Sequence, residues 1–111
     1  MPNPRYVPRL LSLEPLDFGQ KAGLLWLNED DLLAEDVDYL GAAKLQHAFA
    51  LLVGERIRRR FNSVTDYASF AGVNYPRLAR ILRGDVILRL EDVANAQRVL
   101  QFELDLRKPV A

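Results

Sequence analysis

Seven arginines crowd one stretch of this chain. Between Glu55 and Arg83 stand Arg56, Arg58, Arg59, Arg60, Arg77, Arg80 and Arg83, against only two acids, Glu55 and Asp66. A guanidinium is always charged, planar and able to donate in a fork, which suits phosphates and base edges. The rest of the chain offers little other chemistry. Cysteine is absent, which excludes disulfides and thiolate metal sites, and with His47 the single histidine an all-protein zinc site is not expected. No serine or carboxylate constellation points to His47, so it reads as a surface or packing residue. Glu29, Asp30 and Asp31 lack calcium-loop spacing and read as a capped helix start. With no phosphate-cradling glycine loop and no nucleophile elbow, neither an enzyme nor a bound cofactor is expected.

The net charge of zero conceals a division. Residues 1–54 hold four basic side chains against eight acidic ones, and residues 55–111 hold eleven against seven, a balance of −4 followed by +4. A basic block of this kind is the electrostatic footprint of phosphate binding, or else a solvated face paired with the acidic first half. At 111 residues, half of them hydrophobic, the chain is one domain able to bury a core. No apolar run approaches a membrane span and no signal-peptide core is present, so a cytoplasmic location without membrane contact is expected.

The arginines must be positioned by the elements between Ser63 and Gly84. Ser63, with Asp66 three residues on, predicts a capped helix start, and Tyr67, Ala68, Phe70 and Ala71 give that helix an apolar side. Gly72 stands where a left-handed terminator is needed. Val73 plugs the corner, Asn74 caps a second helix, and Pro76 is tolerated in its first turn. Leu78 and Ile81 face inward. Tyr75, Pro76, Ala79, Arg80 and Arg83 fall outward, and Gly84 closes the helix.

This pattern, two short helices about a tight turn, resembles the helix-turn-helix of the lambda-repressor-like (Cro/repressor, xenobiotic-response-element type) DNA-binding family. The family places a small residue four before the turn glycine, as Ala68 stands here, and inward aliphatics match Leu78 and Ile81. A glycine closes its recognition helix, as Gly84 does, and a further helix opens near a leucine, as at Leu90-Glu91-Asp92-Val93. The likeness covers roughly residues 52–104. It implies double-stranded DNA as partner, with the helix 75–83 in the major groove. Arg80 occupies an outward position that the family uses for base contact, and arginine pairs bidentately with guanine. Tyr75 meets a base or a phosphate, or packs over Pro76. Pro76 shares the base-facing turn, where the family often offers a hydrogen-bonding side chain. Phosphate contacts are expected from Arg77 and Arg83, from Arg58, Arg59 and Arg60 ahead of the motif, and from Asn62, Ser63, Val64, Thr65 and Asn74 near the two helix starts. One of the four arginines at positions 56–60 has the competing option of pairing with Asp66 or Glu91.

Taken in order, residues 1–37 form an extended, proline-rich arm followed by a short acidic-capped helix. The prolines at 2, 4, 8 and 15 forbid a helix through the arm, yet its leucines and aromatics are too apolar for a free tail. It is expected to lie on its own domain or on a second subunit, in a dimerisation or partner-docking role. Residues 22–27 stay open between helix and strand. From Asn28 a short helix is expected to bury Leu32, Leu33 and Val37. Residues 38–61 read as one long helix with an inward stripe of Leu45, Phe49, Val53, Ile57 and Phe61, widened by Ala48 and Leu52, with Gly54 open to a close crossing. Residues 86–88 are expected to form a loop over the core, with a small strand as the other option. A final helix runs from Leu90 to about Leu104, and 105–111 form a tail.

The expectation is therefore an all-α, five-helix lambda-repressor-like helix-turn-helix domain over 38–104. It would act as a sequence-specific transcriptional regulator, a repressor of phage, plasmid or mobile-element type, binding as a homodimer. The alternative is a protein-interaction module, or an antitoxin-like autorepressor, whose acidic, leucine-rich N-terminal half binds a protein partner.

Overall fold

The computed structural model describes residues 6–102, and the chain there is all-α. Four helices follow one another: α1 (Ala34–Arg60), α2 (Val64–Ala71), α3 (Tyr75–Arg83) and α4 (Leu90–Leu100). Three 3-10 turns, Pro8–Leu11, Pro15–Asp17 and Glu29–Asp31, precede them. Residues 1–5 of the arm, positions 103–104 at the expected end of the last helix and the tail 105–111 lie outside the described residues. Among the described residues no helix is long and apolar enough to cross a membrane.

The core lies where α1, α2 and α4 meet. Phe49, Val53, Ile57, Tyr67, Val93, Ala96, Val99, Leu100 and Phe102 are buried together, and Leu78 and Leu82 of α3 pack against them. α4 is shorter than its sequence predicts. It ends at Leu100, Gln101 turns left-handed (φ 57°), and Phe102 folds back into the core.

The separate helix expected from Asn28 is a single 3-10 turn. The Asn28 side chain accepts from the Asp30 N–H (3.0 Å), the chain extends at Leu32 and Leu33, and α1 then starts at Ala34. Leu33 is 68% exposed, and Leu32 and Val37 are half-buried.

The buried face of α1 also differs from the expected stripe. Residues four apart in a helix of 3.6 per turn are offset by about 40°, so a run of five such positions winds almost halfway round the axis. Leu45, at one end, is 63% exposed and Ala48 is exposed, while Leu40, Ala43, Gln46, His47 and Ala50 are buried. Gly54 makes no close crossing among the described residues, where the one neighbour a Cβ would meet is the Arg58 side chain of its own helix.

The arm folds onto its own domain. Its segments 11–13 and 25–27 form a small antiparallel ribbon, with Leu13 N–H donating to Leu25 (2.9 Å) and Leu27 N–H to Leu11 (3.0 Å). Phe18 is 1% exposed and packs against His47, Trp26 and Gly84. His47 is a packing residue: Nδ1 accepts from the Gly19 N–H (2.8 Å) and Nε2 lies 2.9 Å from the Lys21 carbonyl. Burial lowers its pKa, which keeps the ring neutral with the proton on Nε2.

Gln46 joins α1 to the end of α3. Its buried amide donates to the carbonyls of Ile81 and Val86 (both 2.9 Å), and its oxygen accepts from the Leu88 N–H (3.0 Å). Residues 86–88 accordingly form a loop held over the core. Gln46→Leu keeps the volume but strands all three backbone groups. It is expected to lower the unfolding free energy by about 2–3 kcal/mol in urea titrations; an unchanged midpoint would show that the clamp contributes nothing.

Candidate nucleic-acid interface

The segment from Ser63 to Gly84 is built by caps. Ser63 Oγ accepts from the Asp66 N–H (3.1 Å) and opens α2. Gly72 ends it left-handed (φ 72°), with its N–H and that of Val73 returning to Ala68 and Ser69 carbonyls. Asn74 Oδ1 then accepts from the Arg77 N–H (2.9 Å), and α3 begins at once with Tyr75 and Pro76. Gly84 closes α3, also left-handed (φ 77°). A Cβ there would press into the Phe18 ring at 2.8 Å, so this glycine both ends the helix and seats the arm. The Gly84 carbonyl accepts from the Arg9 N–H (3.0 Å).

α3 presents the face its periodicity predicts except at Ala79, expected outward and half-buried. Ile81 is 1% exposed and Leu78 half-buried, while Tyr75, Pro76, Arg80 and Arg83 are exposed. Phe70 of α2, expected on the apolar side, is instead 72% exposed and rests on Phe61 (ring centroids 5.5 Å).

The arginines divide according to the carboxylates near them. Arg77 grips Asp92 with both terminal nitrogens (2.6 and 2.9 Å). Arg83 donates to Asp85 (3.1 Å), which also accepts from Arg9 (2.6 Å). Arg59 bonds Glu55 one turn back on α1 (2.6 Å), rather than Asp66 or Glu91. Arg60 donates to the Val99 carbonyl (3.2 Å), and Arg56 lies over the Phe102 ring at 5.8 Å. Arg80 and Arg58 are exposed and have no ion-pair partner among the described residues. Of the arginines expected to touch phosphate, Arg77 is thus engaged at home, Arg83 shares Asp85 with Arg9, Arg59 pairs with Glu55, and Arg60 commits one donor to the Val99 carbonyl.

Arg80 opens onto a groove of about 550 Å³ between α3 and the segment after it, lined by Tyr6, Arg77, Arg80, Asp85, Val86, Ile87 and Arg89. Three guanidiniums line it against one carboxylate, and that carboxylate already holds two arginines. Burial pushes the Tyr6 hydroxyl up to about 12, so it stays neutral and donates to the Tyr39 carbonyl (3.2 Å). Arg89 and Tyr6 escape a reading by motif. Arg89 lies just ahead of the last helix, Tyr6 in the proline-rich arm, and only folding brings them beside Arg80.

A second anion-facing feature lies at the start of α2. The Val64 and Thr65 N–H groups precede the first intrahelical bond, Thr65 and Asn62 are exposed, and Arg58, Arg59 and Arg60 come just before them. The arrangement offers cations and N–H donors to a polyanion. Among the described residues no three His, Cys, Asp or Glu side chains gather into a metal site.

No protein-family model, curated protein or solved structure matches the chain.

The Arg77–Asp92 pair carries a pH signature. Burial pushes the Asp92 carboxyl up, but the Arg77 fork and the Arg89 N–H more than offset it and hold the group below the usual carboxylate range. A depressed folded value gives stability that is present above the unfolded pKa, about 3.9, and is lost as pH falls through the folded one. Arg77 is partly exposed, so screening reduces the effect. Asp92→Ala is expected to cost about 1–2 kcal/mol at neutral pH. The gap from the parent chain should narrow below about pH 4 in urea titrations.

Proposed function

We propose that the chain is a helix-turn-helix protein of lambda-repressor-like type that binds double-stranded DNA and regulates transcription, as a repressor, without enzymatic activity. In this reading α2, the turn at Gly72–Asn74 and α3 form the motif, and α3 enters the major groove with its outward face. The observation that carries it is Arg80, a solvent-facing guanidinium with no carboxylate partner among the described residues, beside exposed Tyr75 and Pro76. Arg80 is the base reader, suited to the O6 and N7 acceptors of guanine. Tyr75 and Pro76 meet neighbouring base edges. Arg58, Arg60 and the α2 N-terminus hold the phosphate backbone, with Arg83 and Arg59 lending charge from their exposed ion pairs. Arg77 acts mainly as a strut between α3 and α4.

A second reading is an interaction module, or an antitoxin-like autorepressor, that docks a protein through its N-terminal half. It is favoured by Leu10, Leu13, Leu16 and Leu25 of the arm, which are between 54% and 85% exposed. The two are separated by selecting random duplexes on the purified chain and titrating the winner at low salt. Failure to enrich or to shift any duplex leaves the interaction module standing alone.

Two substitutions test the assigned roles. Arg80→Ala is expected to relax discrimination at one base pair by about 1–3 kcal/mol, read from competition with single-site operator variants. Arg58→Ala is expected to weaken all duplexes alike and to reduce the slope of log affinity against log salt by about one.

A further inference from the structure

One face of α1 is buried in its own domain, and the opposite face is largely left to solvent. With 100° between successive residues, the helix turns Leu40, Ala43, Gln46, Ala50, Val53 and Ile57 into the domain. Opposite them, Gly41, Leu45, Ala48 and Leu52 recur at spacings of four, three and four residues. Leu45 is 63% exposed, Gly41 and Ala48 are exposed, and Leu52, at the edge of the seam, is half-buried with part of its side chain packed on the core. A four-three apolar repeat is the seam pattern of paired helices. The small residues at 41 and 48 let a second backbone approach closely.

The ends of the helix say what covers that seam. Asp38 and Arg59 are exposed on the same side of α1 as the seam. Asp38 lies ten residues before Ala48 and Arg59 eleven after it. A second α1 laid antiparallel about Ala48 therefore sets Asp38 of each copy beside Arg59 of the other. It also opposes the two helix dipoles and brings Leu45 against Leu52. A parallel copy would set acid on acid and arginine on arginine. Arg59 stays 69% exposed while it bonds Glu55, so part of its guanidinium remains open to a second carboxylate.

We propose that the outer face of α1 is a self-complementary interface through which two copies of this chain pair antiparallel about Ala48. The charge order along one helix complements itself, so the occupant is a second copy rather than an unrelated protein. The interface stands whether or not the chain binds DNA.

The absence of cysteine makes the test direct. Ala48→Cys introduces a single thiol at the two-fold axis, and mild oxidation is expected to join two chains through it. Asp38→Cys is expected to stay reduced over the same time, because its two copies would lie about 30 Å apart along the paired helices. Sedimentation equilibrium of the unmodified chain is expected to give twice its 12.6 kDa mass. Leu45→Glu, at an exposed position that leaves the helical circular dichroism unchanged, is expected to return it to one chain. Asp38→Arg is expected to raise the dimer dissociation constant roughly threefold to tenfold, and the Asp38→Arg/Arg59→Asp double variant to recover it. A single-chain mass up to the solubility limit would overturn the proposal. So would oxidation joining Asp38→Cys chains as fast as Ala48→Cys chains, or a dimer that Leu45→Glu leaves intact.

Discussion

A buried carboxamide has donors and acceptors that must all be met, and Gln46 meets them across the width of the domain. From the middle of α1 it bonds the Ile81 and Val86 carbonyls and the Leu88 N–H, groups that an ending helix and a bare loop cannot satisfy for themselves. The last turn of α3 is thereby tied to α1 through its inner edge. Its outer edge is left to solvent. The arm completes the fixture from another side, with Phe18 against Gly84 and the Arg9 N–H on the Gly84 carbonyl. His47, one residue after Gln46, holds the arm in turn by accepting from the Gly19 N–H. Two adjacent buried polar residues on α1 thus position both the helix proposed to read DNA and the segment that braces it.

Electrostatics then sorts side chains of one type into different roles. A guanidinium beside a well-placed carboxylate becomes part of the framework, as Arg77 does on Asp92, because the bidentate pair satisfies both groups. One without such a neighbour keeps its donors for something else. Arg80 is of that second kind, and it faces a groove in which positive charge outnumbers negative. Arg83 and Arg9 share Asp85, so that corner keeps one positive charge more than its bonds consume. The basic half of the chain is therefore neither fully neutralised nor uniformly exposed.

The local signals of the middle segment were legible in the amino-acid order because their causes are local. A serine or asparagine ahead of a helix accepts from an N–H three residues on whatever lies further away, and Ser63 and Asn74 do so. Gly72 and Gly84 adopt left-handed conformations at the ends of α2 and α3 for the same kind of reason, and the inward Ile81 and outward Arg80 follow from the helical period. Periodicity failed in α1 because an every-fourth-residue stripe rotates steadily around a long helix. Over 27 residues the helix has room for two apolar sides, and nothing in its own order says which one the rest of the chain will cover. Leu45 looked like core and is surface, while Gln46, outside the expected stripe, and His47, open to either a surface or a packing role, are core.

By itself, then, the sequence determined the helical class, the capped pair of helices with the turn between them, the inward and outward sides of α3, and the separation of acidic from basic halves. Tertiary structure alone decided which arginine met a carboxylate, which face of α1 went inside, and that the arm would bring Tyr6 into the groove beside Arg80 and Arg89. The reason is one of range. Caps, terminators and helical faces are set within four or five residues, whereas ion pairs such as Arg9–Asp85 join positions 76 apart and exist only once packing has brought them together.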